Sequence, residues 1–201
     1  MPSRRRYRAA RALDILATAS LALAAPAGAT KEPAVLTPTF ADRDLRQAAG
    51  WKPPPSVCTV NFVEITDGRR SRDLVGVIGK RAVQAPRDTQ TWLRAVLSGL
   101  GARGITARFD AATGDAATPV AKFGLQMAAI NDSVETYTAN VLVSIDATGS
   151  KGRTLSRTYR GRAARTAYWS GGVDTLQSVM DGAFANALNA MAPDLKQLCP
   201  V

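Results

Sequence analysis

Apolar and polar residues alternate along several short stretches of this chain, a pattern typical of β-strands with one buried face. The alternation predicts strands at residues 58–65, 105–109, 123–129, 137–145 and 153–165, and a short hairpin at 74–83 that turns at Gly79. In the strand at 123–129, the residues expected to share one face are Phe123, Leu125, Met127 and Ala129. Because residues 146–152 favour a turn, the last two strands are expected to pair antiparallel.

Two other stretches repeat apolar residues every three or four positions, which indicates amphipathic helices. The first is expected at residues 89–102 with Asp88 as its N-cap. The second is expected from Val173 to Met191, with Pro193 ending it. Both helices can bury their apolar faces against the same side of a sheet. The sequence therefore predicts a two-layer α+β fold, with a mostly antiparallel sheet and two amphipathic helices packed on one face.

The N-terminal residues follow the order of a secretory signal peptide. A cluster of arginines comes first, and an apolar stretch from Ile15 to Ala25 follows it. Pro26 breaks that stretch ahead of Ala27-Gly28-Ala29, which has the form of a cleavage site. We expect residues 1–29 to be removed near Ala29 and the mature protein to be periplasmic. A general export signal is favoured over a twin-arginine signal, because Arg8 stands where the latter has an apolar residue.

Residues 30–56 are rich in proline, including the run Pro53-Pro54-Pro55, and are interpreted as a leader or tether. Residues 57–201 then form one domain, which is long enough to bury a sizeable core. The apolar part of the signal is shorter than the roughly 20 residues that a membrane-spanning helix needs. No later stretch qualifies, so we expect no transmembrane helix in the mature form.

The net charge of the chain initially suggests a nucleic-acid partner. The whole chain has a formal net charge of +10. Residues 1–29 hold five Arg and one acidic residue, so the mature part has a net charge of 10 − 4 = +6. That value is ordinary for a soluble domain. For an exported protein the expected partners are therefore an envelope protein, an anionic lipid or a glycan, and not nucleic acid.

The mature chain contains two cysteines, Cys58 and Cys199. In an oxidising compartment the simplest interpretation is one disulfide, which would join the first predicted strand to the end of the last helix. The alternative is a pair of free thiols.

The residues that most enzymes and metal sites need are scarce. The chain contains no histidine, which excludes Ser-His and Cys-His nucleophiles and all histidine metal sites. The run Gly99-Leu-Gly101-Ala-Arg-Gly104 matches a dinucleotide-binding pattern, but it follows a predicted helix and precedes a strand, the reverse of what that site requires. We interpret it as a helix stop. The sequence predicts no enzyme and no cofactor; a hydrolase built on aspartates stays open as an alternative.

Arginines concentrate near the last predicted strand, with aromatic residues close by. The candidate residues are Arg153, Arg157, Arg160, Arg162 and Arg165, with Tyr159 and Trp169. Guanidinium groups bind phosphate or carboxylate in a two-pronged manner, and aromatic rings stack on sugars or acyl boundaries, so the cluster is a candidate site for an anionic ligand. Strand parity places Arg160 and Arg162 on one side and the other three arginines on the opposite side. The alternative is a solvated edge strand protected from aggregation by charge.

Five local patterns of the chain are considered together: Thr59-Val-Asn-Phe-Val with Asp67-Gly-Arg69, Trp92-Leu-x-x-Val-Leu, Gly104-Ile, Thr158-Tyr-Arg160-Gly, and the helix from Val173. In this combination they resemble the YajG family of bacterial envelope lipoproteins. The resemblance implies a non-catalytic accessory role on the periplasmic side of the outer membrane. Family members are lipidated at a cysteine directly after the signal, whereas Thr30 follows Ala29 here, so we expect a soluble form. An auxiliary subunit of an envelope ABC transport system is the alternative role.

Overall fold

The computed structural model describes residues 31–42, 52, 54–110, 117–133, 136–166 and 172–200. The strands are β1 (Ala34–Val35), β2 (Cys58–Asp67), β3 (Leu74–Ile78), β4 (Arg81–Gln84), β5 (Ile105–Arg108), β6 (Val120–Ser133), β7 (Thr136–Thr148) and β8 (Thr154–Thr166). The helices are α1 (Thr89–Ser98), which continues as a 3₁₀ turn at Gly99–Arg103, and α2 (Val173–Gln197). The predicted signal peptide lies outside the described residues.

Strand β6 lies at the centre of a single mixed sheet. Along one side it pairs antiparallel with β7, which pairs antiparallel with β8. Along the other side it pairs in parallel with β2 over its first half and with β3 at Ile130. Beyond these, β5 adds in parallel to β2, β4 adds antiparallel to β3, and β1 adds in parallel to β4. The sheet is thus mostly antiparallel, as predicted, with parallel pairs that the sequence pattern did not indicate. It confirms the α+β class in its broad form.

Helix α1 begins and ends as the sequence predicts. The Asp88 side chain accepts a hydrogen bond from the Thr91 backbone N–H at 2.9 Å and so caps the first turn. At the other end Gly104 has a φ of 77°, a left-handed conformation that favours glycine and stops the 3₁₀ turn. The glycine run is therefore a helix stop. Trp92 on α1 is fully buried and meets Phe184 of α2 edge-to-face, with ring centroids 5.1 Å apart.

Helix α2 runs through Pro193 to Gln197, so the prediction that Pro193 ends the helix was wrong. Proline removes one helical hydrogen bond and usually breaks a helix interior. Here the turns after it are held by burial, because Leu195 is fully buried and Leu198 is 5% exposed. Tertiary packing and the disulfide at Cys199 thus stabilise the helical turns after Pro193, where the proline alone would favour the end of the helix.

A β-bulge in β6 also changes a predicted face. The pairing with β7 shifts register between Leu125 and Met127. An extra residue reverses the side-chain alternation beyond it. Phe123 and Leu125 are buried as predicted, but Met127 and Ala129 are only half-buried, and Ala128 and Ile130 take the core positions.

Part of the segment predicted to be a leader packs into the domain. Ala34 and Leu36 are buried at 0% and 2% exposure, and β1 extends the sheet at β4. The backbone N–H groups of Thr37 and Ala41 donate to the Gln177 and Asp181 side chains of α2. Residues 33–42 are therefore an integral strap across α2, and we call them the strap below.

The predicted disulfide is present. Cys58 at the start of β2 is bonded to Cys199, two residues after the end of α2, with Cα atoms 5.8 Å apart. That separation lies in the usual range for disulfides. The bond joins the first long strand to the last helix, and it thereby fixes the two ends of the domain together. Among the described residues no helix is both long enough and apolar enough to cross a membrane.

Gly161 on β8 lets α2 approach the sheet. A Cβ atom at this position would lie 1.8 Å from the Ala183 carbonyl oxygen of α2, a backbone atom that cannot rotate away. We expect Gly161→Ala to lower the free energy of unfolding by about 3 kcal/mol, at the upper end of the usual cost of overpacking. Urea unfolding measures this change.

Gly101→Ala is the matched control for Gly161→Ala, because a Cβ at Gly101 meets no atom within 4 Å. Its stability should be unchanged or slightly raised. Equal stabilities for the two variants would contradict the close approach of α2 to β8.

Candidate functional site

The arginine cluster lies on β8, which among the described strands pairs with β7 alone and so forms an edge of the described sheet. Alternate side chains of a strand point to opposite faces. Tyr159 and Gly161 are buried beneath α2, whereas Thr158, Arg160 and Arg162 are exposed. The cluster is therefore divided between a helix side and an open side, with the parity that the sequence predicts.

On the helix side, two members of the cluster share one carboxylate of α2. Arg157 Nη1 lies 2.9 Å from Asp194 Oδ2, and the Tyr159 hydroxyl donates to the same oxygen at 2.6 Å. The Tyr159 bond and then the Arg157 guanidinium hold the pKa of Asp194 below its usual range. Burial, and then the bond to Asp194, raise the pKa of Tyr159. Both residues thus fasten β8 to the last turns of α2.

These interactions line a cleft of about 570 Å³ between β8 and the C-terminal end of α2. Arg153 also reaches α2, where its Nη1 donates to the Gln197 carbonyl oxygen at 3.1 Å. The C-terminal end of a helix carries partial negative charge, which disfavours an anion there. Since Arg153 and Arg157 already have acceptors, this cleft is a poor anion site despite its arginines.

On the open side, Arg160 and Arg162 are exposed, and within the described part of the chain neither guanidinium group has an ion-pair or hydrogen-bond partner. Their neighbours on β7 are Leu142 and Asn140, respectively. Residues two apart on a strand are separated by about 6.6 Å, so the two guanidinium groups can both bind one extended anion.

The surface around these two arginines carries polar groups beside the half-buried Leu142 and Met127. Ser144 and Thr158 form the next cross-strand pair, and Gln126 Nε2 donates to the Ser144 hydroxyl at 2.9 Å. Further along, the Ser156 hydroxyl donates to Asp146 Oδ1. Hydroxyl and amide groups beside unpaired arginines can complete the hydrogen bonding of a carboxylate- or phosphate-bearing ligand.

The remaining members of the cluster do not add to this surface. Arg165 is half-buried and already engaged in an interaction within the protein. Trp169 lies outside the described residues. Since Tyr159 is buried at 7% exposure on the helix side, it offers no ring to a ligand on the open side.

A second cleft, of about 500 Å³, lies between the end of β2 and the start of α1. Asp67, one of its lining residues, forms a two-pronged pair with Arg69, at 2.8 Å to Nε and 2.7 Å to Nη2. Burial opposes ionisation of Asp67, but the Arg69 hydrogen bonds and charge outweigh it and lower the pKa of this carboxyl. Asp88, which also lines the cleft, is used as the helix cap.

Among the described residues no group of three or more acidic or cysteine side chains is placed to hold a metal ion.

An apolar corner of the sheet was not predicted from the sequence. Val35, Leu74 and Val77 are 46%, 42% and 51% exposed on β1 and β3. Alternation could not reveal it, since a bulge at Val75 shifts the pairing of β3 with β4 between Leu74 and Gly76.

Comparisons with known proteins give loose similarities only. No family model and no curated protein matches the chain. Among solved structures, a minor lipoprotein from Acinetobacter baumannii is 10% identical, over 72% of this chain and 94% of that one, with a TM-score of 0.39. A DUF330 protein from Xanthomonas campestris is 14% identical, over 73% and 90%, with a TM-score of 0.38. Rare lipoprotein B from Shewanella oneidensis is 12% identical, over 67% and 98%, with a TM-score of 0.33.

These values assign neither a family nor an activity to the chain. The resemblance to the YajG family stays a prediction.

Proposed function

We propose that this protein is an exported, non-catalytic domain of the bacterial cell envelope that binds an anionic glycan on the open side of its sheet. The observation that carries the proposal is the pair Arg160 and Arg162, exposed side by side with no acidic partner among the residues that the structure describes. The hydroxyl and amide groups nearby suit a hydrated, carboxylate- or phosphate-bearing polymer. Of the seven residues in the predicted cluster, only these two arginines are part of the proposed binding site.

Export is supported by two independent features. The N-terminal residues follow the order of a signal peptide. The domain also contains a disulfide between Cys58 and Cys199, a bond that persists in oxidising compartments and is rare in the cytosol. Mass spectrometry of the exported protein should find an N-terminus near Thr30, no lipid, and a mass lower by two hydrogens than that of the reduced chain. A cytoplasmic protein with an intact N-terminus would contradict export.

A non-catalytic role is supported by the residue content of the chain. It contains no histidine, and of its acidic side chains Asp67, Asp88 and Asp194 are used for an ion pair, a helix cap and the contact between α2 and β8. Binding, rather than a reaction, is therefore the function we propose.

The test of the glycan site uses Arg160→Gln/Arg162→Gln and polygalacturonate, a soluble carboxylate polymer. A charge-assisted hydrogen bond contributes about 1.5–3 kcal/mol, so loss of both guanidinium groups should weaken binding by tenfold or more. Calorimetric titration at low salt measures the affinity, with neutral dextran as the polymer that should not bind.

The matched control is Arg87→Gln/Arg108→Gln, which removes the same charge from two exposed arginines whose guanidinium groups also have no partner among the described residues. It should alter the affinity by no more than about twofold, because distant exposed charges act weakly through solvent. Equal weakening by both double variants would mean that net charge alone attracts the polymer and that β8 carries no site.

A further inference from the structure

The three side chains of the apolar corner lie on one face of the sheet, around Gln84 of β4. Cross-strand pairing puts Val35 beside Gln84 and Gln84 beside Leu74. Val77 pairs with Ala82, two residues from Gln84 on β4 and therefore on the same side. The intervening Val83 is fully buried on the opposite, core side.

This corner collects three of the four large apolar side chains that are well exposed in the described part of the chain. The fourth, Val57, lies just before β2, 62% exposed and outside this group of strands. Exposed apolar side chains scattered singly need no explanation, whereas a cluster on one face of a sheet marks an interaction surface.

Basic residues surround the apolar corner. The segments flanking its strands carry Lys31, Arg70, Arg72, Lys80 and Arg81, against the acidic Glu32, Asp73 and Asp132. Arg81 Nε donates to the Glu32 backbone carbonyl, so its charge is not neutralised by a carboxylate there. Asp132 accepts a hydrogen bond from the Gly79 backbone N–H and so serves the β3–β4 turn. The rim therefore has an excess of positive charge.

An apolar centre with a positive rim is complementary to the surface of a bilayer that contains anionic phospholipid. We propose that the corner formed by Val35, Leu74 and Val77 is a peripheral docking surface for such a bilayer, with the side chains entering the headgroup boundary and the rim cations meeting lipid phosphates. This proposal, like the proposed function, assumes that the protein is exported. It does not depend on the glycan-site residues of β8.

The test measures sedimentation of the full exported protein with vesicles of equimolar phosphatidylcholine and phosphatidylglycerol. Wild-type protein should co-sediment with these vesicles, and raised salt or pure phosphatidylcholine should weaken the binding. Leu74→Gln/Val77→Gln should lower the partition coefficient at least tenfold. Arg72→Gln/Lys80→Gln should lower it severalfold and flatten its salt dependence.

Val57→Gln is the matched control, because it removes an exposed apolar side chain that lies away from the corner. It should bind the vesicles as wild type does, and circular dichroism should show that every variant is folded. Unchanged vesicle binding by Leu74→Gln/Val77→Gln would overturn the proposal. A second result would also overturn it: the wild-type protein is a dimer that does not bind vesicles, and Leu74→Gln/Val77→Gln is a monomer. The corner would then be an interface between two copies of the chain.

The two proposals fail independently. Leu74→Gln/Val77→Gln should keep full affinity for polygalacturonate, and Arg160→Gln/Arg162→Gln should keep its vesicle binding. If the β8 variant alone lost the vesicles, lipid would bind the open side and the corner proposal would be wrong. Loss of polygalacturonate binding in the β8 variant would leave the corner proposal unaffected.

Discussion

Replacing Cys199 with serine is expected to lower the free energy of unfolding by about 4 kcal/mol, with about 5 as the upper value for a loop of this length. The disulfide closes a loop with a sequence separation of 141 residues, so its loss frees a large part of the unfolded chain. The last turns of α2 are also affected, since they lie between Pro193 and the bonded cysteine. Urea unfolding under non-reducing conditions measures the change.

Two controls make the disulfide result specific. Wild-type protein with reduced thiols should be destabilised to the same extent. Cys58→Ser/Cys199→Ser should be no less stable than the single variant, because both lack the same bond. If oxidised and reduced wild-type protein had the same unfolding midpoint, the disulfide would contribute nothing to stability.

The second large effect is expected at Arg103, whose guanidinium joins the strap to α2. Arg103 Nη2 lies 2.7 Å from Asp42 Oδ2, and both side chains are 7% exposed. The same guanidinium donates to the carbonyl oxygens of Gly99 and Ala185 and to the Asn189 side chain. Arg103→Met leaves a buried carboxylate without its cation, so the free energy of unfolding should fall by about 3–5 kcal/mol.

Arg157→Met provides the control, because the Arg157 side chain is 63% exposed in its pair with Asp194. Solvent screens that pair, so Arg157→Met should destabilise the protein much less than Arg103→Met does. The double variant Asp42→Asn/Arg103→Met should lose less free energy of unfolding than the two single variants lose in total, because it leaves no isolated buried charge. Similar destabilisation by Arg103→Met and Arg157→Met would show that the strap is not held by a buried ion pair.

Many elements were predictable because their signals are local. Alternation located β2, β7 and β8, and the polar residue before the first apolar turn identified Asp88 as the cap of α1. The turn at Gly79 and the stop at Gly104 follow from glycines with positive φ. Each of these depends on neighbours in the chain, so a single sequence contains the information.

The elements that prediction missed depend on distant partners. The bulge after Leu125 exists only relative to the β7 register, and the helix continues past Pro193 because Leu195 is buried. The strap was assigned to a tether because its prolines and short apolar segments have no sustained period. Its binding to the domain depends on Asp42 meeting Arg103, 61 residues away in sequence.

The candidate site shows the same division. Strand parity, a property of residue spacing alone, separates Arg160 and Arg162 from the other arginines. Only the fold places Asp194 and Gln197 of α2 against Arg157 and Arg153, and so removes those arginines from the candidate site. Similarly, exposure of Leu74 and Val77 could not be read from residues that look like an ordinary buried strand.

By itself the sequence determined the α+β class, the strand parity of the arginines, the cysteine pair and the signal-like N-terminus. Their causes are side-chain period, turn chemistry and composition, which act over a few residues. The tertiary structure alone decided which strands pair in parallel, how the strap is held, which arginines stay unpaired and which apolar side chains remain exposed. Those outcomes depend on which strands and side chains come together in space. Residues that meet there can be far apart in the sequence, so the local pattern does not show which of them will pair.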